Sequence, residues 1–120
     1  MKTLLRLDEL ASLLLALLVF AHLPYASWWL PALFLVPDLS RLGYLAGLRV
    51  GAWAYNLGHH KLLALALGAG GYLLGQPALL LAGTVLLFHI SADRLLGYGL
   101  KHETGFGDTH LGRVDRLAAA

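Results

Sequence analysis

Between Glu9 and Asp38 the chain carries no charged residue, and between Lys61 and Asp93 it again carries none. Each run exceeds the roughly 20 residues that an α-helix needs to cross a hydrocarbon core. Pro24, flanked by His22 and Tyr25, falls in the middle of the first run and reads as a tight turn, so that run predicts a hairpin of two helices. The whole pattern predicts four helices, over about 4–23, 26–45, 50–74 and 77–100. Pro31 and Pro37 are expected to kink the second. Pro77 suits the first turn of the fourth, and Gly70, Gly71 and Gly75 mark the turn before it.

One long bent helix over 10–37, giving three crossings, fits the hydropathy nearly as well, so the basic residues have to decide. With four crossings Lys2, Arg6, Arg41, Arg49, Lys101, Arg113 and Arg116 all fall on one side, and the other side carries no charge. With three crossings they split across both faces, against the positive-inside rule. The expected architecture is therefore an all-α, integral membrane four-helix transmembrane bundle with both termini cytoplasmic. Residues 1–100 form the transmembrane domain and 101–120 a short polar cytoplasmic tail. Tyr25, Trp28, Trp29 and Tyr72 then fall in an interfacial belt at the outer face. Lys2, Arg6 and the run from Leu13 to Phe20 also fit a signal peptide, a reading that Asp8 and Glu9 beside the apolar run oppose.

Composition agrees with a membrane environment: 58% of the 120 residues are hydrophobic and 13% charged, where soluble domains run near half and a quarter. So short a chain leaves no room for a separate soluble enzyme. The net charge of +2 is accounted for by lipid headgroups and topology, which makes nucleic acid a poor partner. With no cysteine, disulfides, thiolate catalysis and Cys-ligated metals are excluded, and any metal must be held by His and carboxylates. Six histidines is about twice what average composition gives.

Several polar residues lie where a membrane helix should have none, and each such charge costs at least about 2.5–3.5 kcal/mol unless it has a partner or a use. His89 and Asp93 form an i, i+4 pair on one helix face, followed by Arg94. Tyr55, Asn56, His59, His60 and Lys61 lie on the third helix and Asp38 on the second. At about 1.5 Å per residue, Asp38, His59, His89 and Asp93 lie roughly 18–24 Å from the outer face, in one cytoplasmic-side layer. Two imidazoles and two carboxylates make a first shell for a divalent zinc, manganese or iron ion, with room for water. The same layer also reads as hydrogen-bonded glue between helices, with Asp38 matched to Arg41 or Arg94. A third reading is a proton path, or an anion site using Arg94 and Lys101. His59 is preferred over His60 because it shares a face with Tyr55. His60 is expected to meet headgroups, and Lys61 to snorkel.

Asp38 to Tyr44 and Asp93 to Gly99 resemble one another, each with Asp, Arg and then Gly-Tyr, the sign of a duplicated hairpin. Tyr44 and Tyr98 can place hydroxyls at the interface. In the tail, His102, Glu103, Asp108 and His110 are further metal-capable groups, in a segment that is either solvated or a lid over the bundle.

Pro37-Asp38-Leu39-Ser40, Tyr55-Asn56-Leu57-Gly58-His59, Gly97-Tyr98-Gly99-Leu100-Lys101 and Asp108-Thr109-His110-Leu111-Gly112 resemble a family of small bacterial four-helix membrane proteins, domain of unknown function 4260. That resemblance covers nearly the whole chain and implies a fold but no substrate. The order Pro-Asp, His, then His-x-x-x-Asp on successive membrane helices also looks like the small membrane-bound metal-dependent hydrolases of the inner membrane. It implies Asp38, His59, His89 and Asp93 as metal ligands. Their His-Arg-Gly and Thr-His-Ser signature is missing, and Tyr-Asn-Leu-Gly-His-His stands in its place.

Three function classes follow. A metal-dependent hydrolase would act on a lipid or phosphate ester at the cytoplasmic leaflet of the inner membrane, with Arg94 or Lys101 steadying an anionic group. A proton or anion pathway would need a homo-oligomer, since four short helices make a narrow monomer. A structural membrane protein would use the polar layer for packing alone.

Overall fold

A computed structural model describes residues 2–100, 108–109 and 111–113. The first apolar run forms α1 (Lys2–Ala21), which stops three residues before Pro24. There the His22 Nδ1 donates back to the Leu18 carbonyl at 2.8 Å, supplying a donor to the end of the helix. After a short turn come α2 (Trp29–Leu33) and a 3₁₀ segment (Val36–Ala46). α3 (Leu48–Gly58), α4 (Lys61–Leu73) and α5 (Pro77–Leu95) follow, and the tail contributes a two-residue antiparallel pairing of β1 (Asp108–Thr109) with β2 (Gly112–Arg113). Among the described residues the fold is helical apart from that pairing.

α5 is the spine, with α1 packed on one side and α4 on the other. Toward its start, Leu81 and Val85 meet Phe20 of α1, with Leu23, Tyr25, Trp29, Leu30 and Leu33 closing over them. Further along, Leu86 and Ile90 meet Ala64 of α4. Trp28 stacks on Trp29 at 4.5 Å, and Tyr25 meets Trp29 edge-on. The 3₁₀ segment and α3 fold back on each other as a hairpin through Gly47.

Two stretches expected as single helices are each divided. Residues 26–45 become α2 and the 3₁₀ segment, because proline at 31 and 37 deprives successive turns of a donor. Residues 50–74 break at His59 and His60. Gly58 ends α3, and His60, in extended backbone, caps α4 by accepting from the Leu62 N–H at 3.1 Å. His60 is therefore a helix cap, and it is exposed. The last helix ends at Leu95 instead of near 100. Gly97, at φ 96°, takes the left-handed position that lets the Tyr98 N–H reach the Asp93 carbonyl at 2.8 Å. Of the three glycines expected in the α4–α5 turn, Gly75 carries it, while Gly70 and Gly71 lie inside α4. The two resembling Asp-Arg-Gly-Tyr stretches take different conformations, a 3₁₀ segment and an α-helix end.

Among the described residues one helix, Pro77–Leu95, is long and apolar enough to cross a membrane; α4 is as apolar but only 13 residues long. Large apolar side chains nevertheless line the outside of other elements, among them Leu14 and Leu18 of α1 and Leu62 and Leu65 of α4.

Candidate metal centre

The break after α3 has a geometric result. Asp38 stands in the first turn of the 3₁₀ segment and His59 just past the end of α3, so both sit at the root of the hairpin. A side chain on Gly58 would collide with Ser40, at 2.8 Å, so glycine permits the close approach of these two roots. His89 and Asp93 come from one face of α5, one turn apart. One ligand-capable atom from each of the four residues lies within 4.8 Å of the others.

The individual spacings are narrower than that limit. His59 Nε2 lies 3.1 Å from His89 Nε2, 3.3 Å from Asp38 Oδ1 and 3.7 Å from Asp93 Oδ2. His89 Nε2 lies 3.4 Å from Asp38 Oδ1 and 3.2 Å from Asp93 Oδ2. Four donors held about 2.0–2.1 Å from a central ion stand about 3.3–3.4 Å apart at the corners of a tetrahedron. The two imidazoles are buried, with 5% and 1% of their side chains exposed, and each carboxylate is 20% exposed.

The surrounding atoms orient the ligands. His59 Nδ1 faces the Tyr55 carbonyl at 3.0 Å. A carbonyl only accepts, so in the neutral ring Nδ1 carries the hydrogen and Nε2 presents a lone pair to the cluster. Ser40 Oγ stands 3.4 Å from the same Nδ1 and donates to the Pro37 carbonyl. The Tyr55 ring stacks on His59 at 3.9 Å, and Phe34 covers His89 at 4.6 Å. His89 Nδ1 is buried beside the Phe34 backbone without a well-formed hydrogen bond. Arg41 reaches Asp38 at 3.5 Å, since the three-residue turn of a 3₁₀ helix places side chains at i and i+3 over one another.

Of the other expected site residues, Arg94 donates to the His59 carbonyl at 3.3 Å and so borders the cluster. A cavity of about 10 Å³, room for one water, adjoins it, lined by Tyr55, His59, Asp93, Arg94 and Tyr98 among others. Tyr44 packs its ring on Gly51 within the hairpin, and Asn56 gives its carbonyl to the His59 N–H. Asp108 pairs opposite Arg113 in the tail ladder. Lys101, His102, Glu103 and His110 lie outside the described residues. Lys61 forms an ion pair with Glu9 at 2.7 Å and donates to Ser12. Glu9 also faces Arg94 at 3.9 Å, so it joins α1, α4 and α5 next to the cluster. From the sequence, Glu9 has no role beyond marking the edge of the first uncharged run and opposing a signal peptide. Its i, i+3 spacing to Ser12, on the side of α1 that enters the apolar run, was the available signal.

Fold and site together define a small helical protein with a buried two-histidine, two-aspartate cluster where a hairpin meets the central helix. The chain belongs to the family described as a domain of unknown function (DUF4260), which matches residues 2–114. No curated protein and no solved structure matches it. The likeness to membrane-bound metal-dependent hydrolases accordingly rests on ligand types and their order alone.

Proposed function

We propose that this chain is a multi-pass membrane protein that binds a divalent metal ion through Asp38, His59, His89 and Asp93. The observation that carries the proposal is mutual spacing. A proton on one Nε2 points at one acceptor, whereas here each Nε2 faces three donor atoms at 3.1–3.7 Å. Such convergence fits one shared central occupant better than a set of pairwise hydrogen bonds. Two carboxylates and two neutral imidazoles balance the charge of a divalent ion, and nitrogen and oxygen donors suit zinc, manganese or iron.

In this reading the chain crosses the bilayer four times, through α1, through α2 with the 3₁₀ segment, through α3 with α4, and through α5. Both termini are cytoplasmic and the site lies in the cytoplasmic half. The exposed leucines of α1 and α4 support this arrangement, as does the clustering of basic residues at one end. The chemistry that such an ion supplies is activation of a bound water. The cavity beside His59 and Asp93, with Arg94 in its wall, has room for one such water, and the reaction proposed for it is hydrolysis of an ester or phosphate ester at the inner leaflet.

The test is elemental analysis of detergent-purified protein after mild chelation and repletion, wild type beside the Asp93→Ala, His89→Ala double variant. One ion per chain, lost in a variant that still gives a helical circular dichroism spectrum, is the expected result. Folded wild type without bound metal after repletion would overturn the reading.

A further inference from the structure

A second cavity, about 220 Å³, opens between the start of α1 and the end of α5. Lys2, Leu5, Arg6 and Glu9 line it from one face of α1, Arg94 from α5, Gly97 from just past its end, and Leu111 from the tail. The charges do not balance. Among the described residues three cations face one carboxylate, and that carboxylate is already engaged by Lys61 and faces Arg94. Lys2 and Arg6 are i, i+4 neighbours of like sign, and Glu9, i+3 from Arg6, is shared with Lys61 and Arg94. Neither has a carboxylate partner among the described residues. α1 also has no acidic residue in its first turn, so its free N–H groups add to the positive end. The remaining wall, Leu5 and Leu111, is apolar.

We infer that this cavity binds a phosphate-bearing ligand with an apolar portion, its phosphate held by Lys2, Arg6 and Arg94. The volume suits a headgroup and not a whole drug-sized ligand. Arg94 lines both this cavity and the single-water one beside the metal centre, so it is the side chain through which a bound phosphate is positioned next to that centre. This inference rests on the membrane reading above, and it names the ligand class that a phosphate-ester reaction there would require. An inner-leaflet phospholipid and a free phosphate ester offer the same group.

The test is native mass spectrometry of the full chain in neutral detergent, titrated with phosphatidylglycerol or phosphatidylcholine, for wild type and for the Lys2→Gln, Arg6→Gln double variant. Both positions are exposed, and Arg41, Arg49 and Lys101 still hold the orientation. One phosphatidylglycerol per chain is expected in preference to phosphatidylcholine, with affinity about 30-fold lower in the double variant. Millimolar inorganic phosphate that displaces the lipid supports a soluble phosphate ester as the ligand; failure to displace it supports the phospholipid. Equal binding of both lipids by the wild type, or unchanged binding by the double variant, overturns the inference. Asp93→Asn protein, run in parallel, separates the two proposals, since loss of metal there leaves phosphate binding in place.

Discussion

Asp93→Asn keeps the shape of the side chain and removes its charge, and the two readings of the cluster respond to it in opposite ways. In a purely hydrogen-bonded cluster the introduced amide can donate to the Nε2 of His89, now 3.2 Å from the Asp93 oxygen. Stability then changes by no more than about one hydrogen bond, about 1 kcal/mol. In a metal centre the same change removes one charged ligand of four. Four-ligand zinc sites contribute about 10–16 kcal/mol, or about 2.5–4 kcal/mol per ligand, which corresponds to an affinity loss of about 10² to 10³.

The assay is thermal unfolding in detergent after chelation, with and without added ion, alongside competition against a chromophoric chelator. Wild type at an ion concentration 100 times its Kd gains about 2.7 kcal/mol, and the variant at the same concentration gains about 0.4 kcal/mol or less. The metal-dependent rise in Tm should therefore nearly vanish while the metal-free Tm stays close to wild type. Because an imidazole must shed its proton to ligate, wild-type affinity should also fall as the pH is lowered. A variant that binds metal as tightly as wild type would refute the assignment of Asp93 and the tetrahedral argument with it.

Three further outcomes are expected. Ser40→Ala removes a hydroxyl from behind His59 but leaves the Tyr55 carbonyl, so metal affinity in the chelator assay should fall by about tenfold, the low end for such orienting contacts. Gly83→Ala places a methyl against the α4 backbone, 2.6 Å from the Ala64 carbonyl and 2.7 Å from the Gly68 Cα, and should lower stability by about 1–3 kcal/mol in a melting experiment; Gly70→Ala, which meets nothing within 4 Å, should not. The absence of cysteine permits single-cysteine topology mapping: Gln76→Cys should react with an impermeant thiol reagent from outside the cell, and Arg49→Cys only after permeabilisation.

The convergence of the four residues was legible because it depended on quantities that a sequence carries. The i, i+4 spacing of His89 and Asp93 fixes one edge of the cluster whatever the rest of the chain does. The nearness of Asp38 and His89 was expected from counting residues in from an uncharged turn, although residues 26–45 are not the single helix on which that count relied. The path of the backbone between Asp38 and His59 was not legible. Hydropathy reads residues 50–74 as continuous, since Gly58, His59 and His60 are too few to interrupt an apolar window. Their effect is on hydrogen bonding: a glycine ending one helix, and an imidazole capping the next. The long 3₁₀ segment was hidden for a similar reason, because it shares its side-chain chemistry with an α-helix and differs only in winding.

That break changes what the cluster does mechanically. Had residues 50–74 formed one straight helix, His59 would be a ligand midway along a rod, and removing it would leave the packing of that rod intact. Among the described residues the 3₁₀ segment and α3 pack chiefly on one another, and the hairpin reaches α5 at its two roots. Asp38 and His59 are those roots, and both face α5 through His89 and Asp93. An ion bound by all four would tie the hairpin to the spine, while Arg94, reaching the His59 carbonyl from α5, supplies a metal-independent tie beside it. Chelation should therefore loosen the hairpin before it loosens α1, α4 and α5. In hydrogen exchange, amides of residues 48–58 should lose protection on metal removal while those of 77–90 keep theirs. Uniform loss across both segments would mean that the cluster stabilises the bundle as a whole and that the hairpin is not a separately held unit.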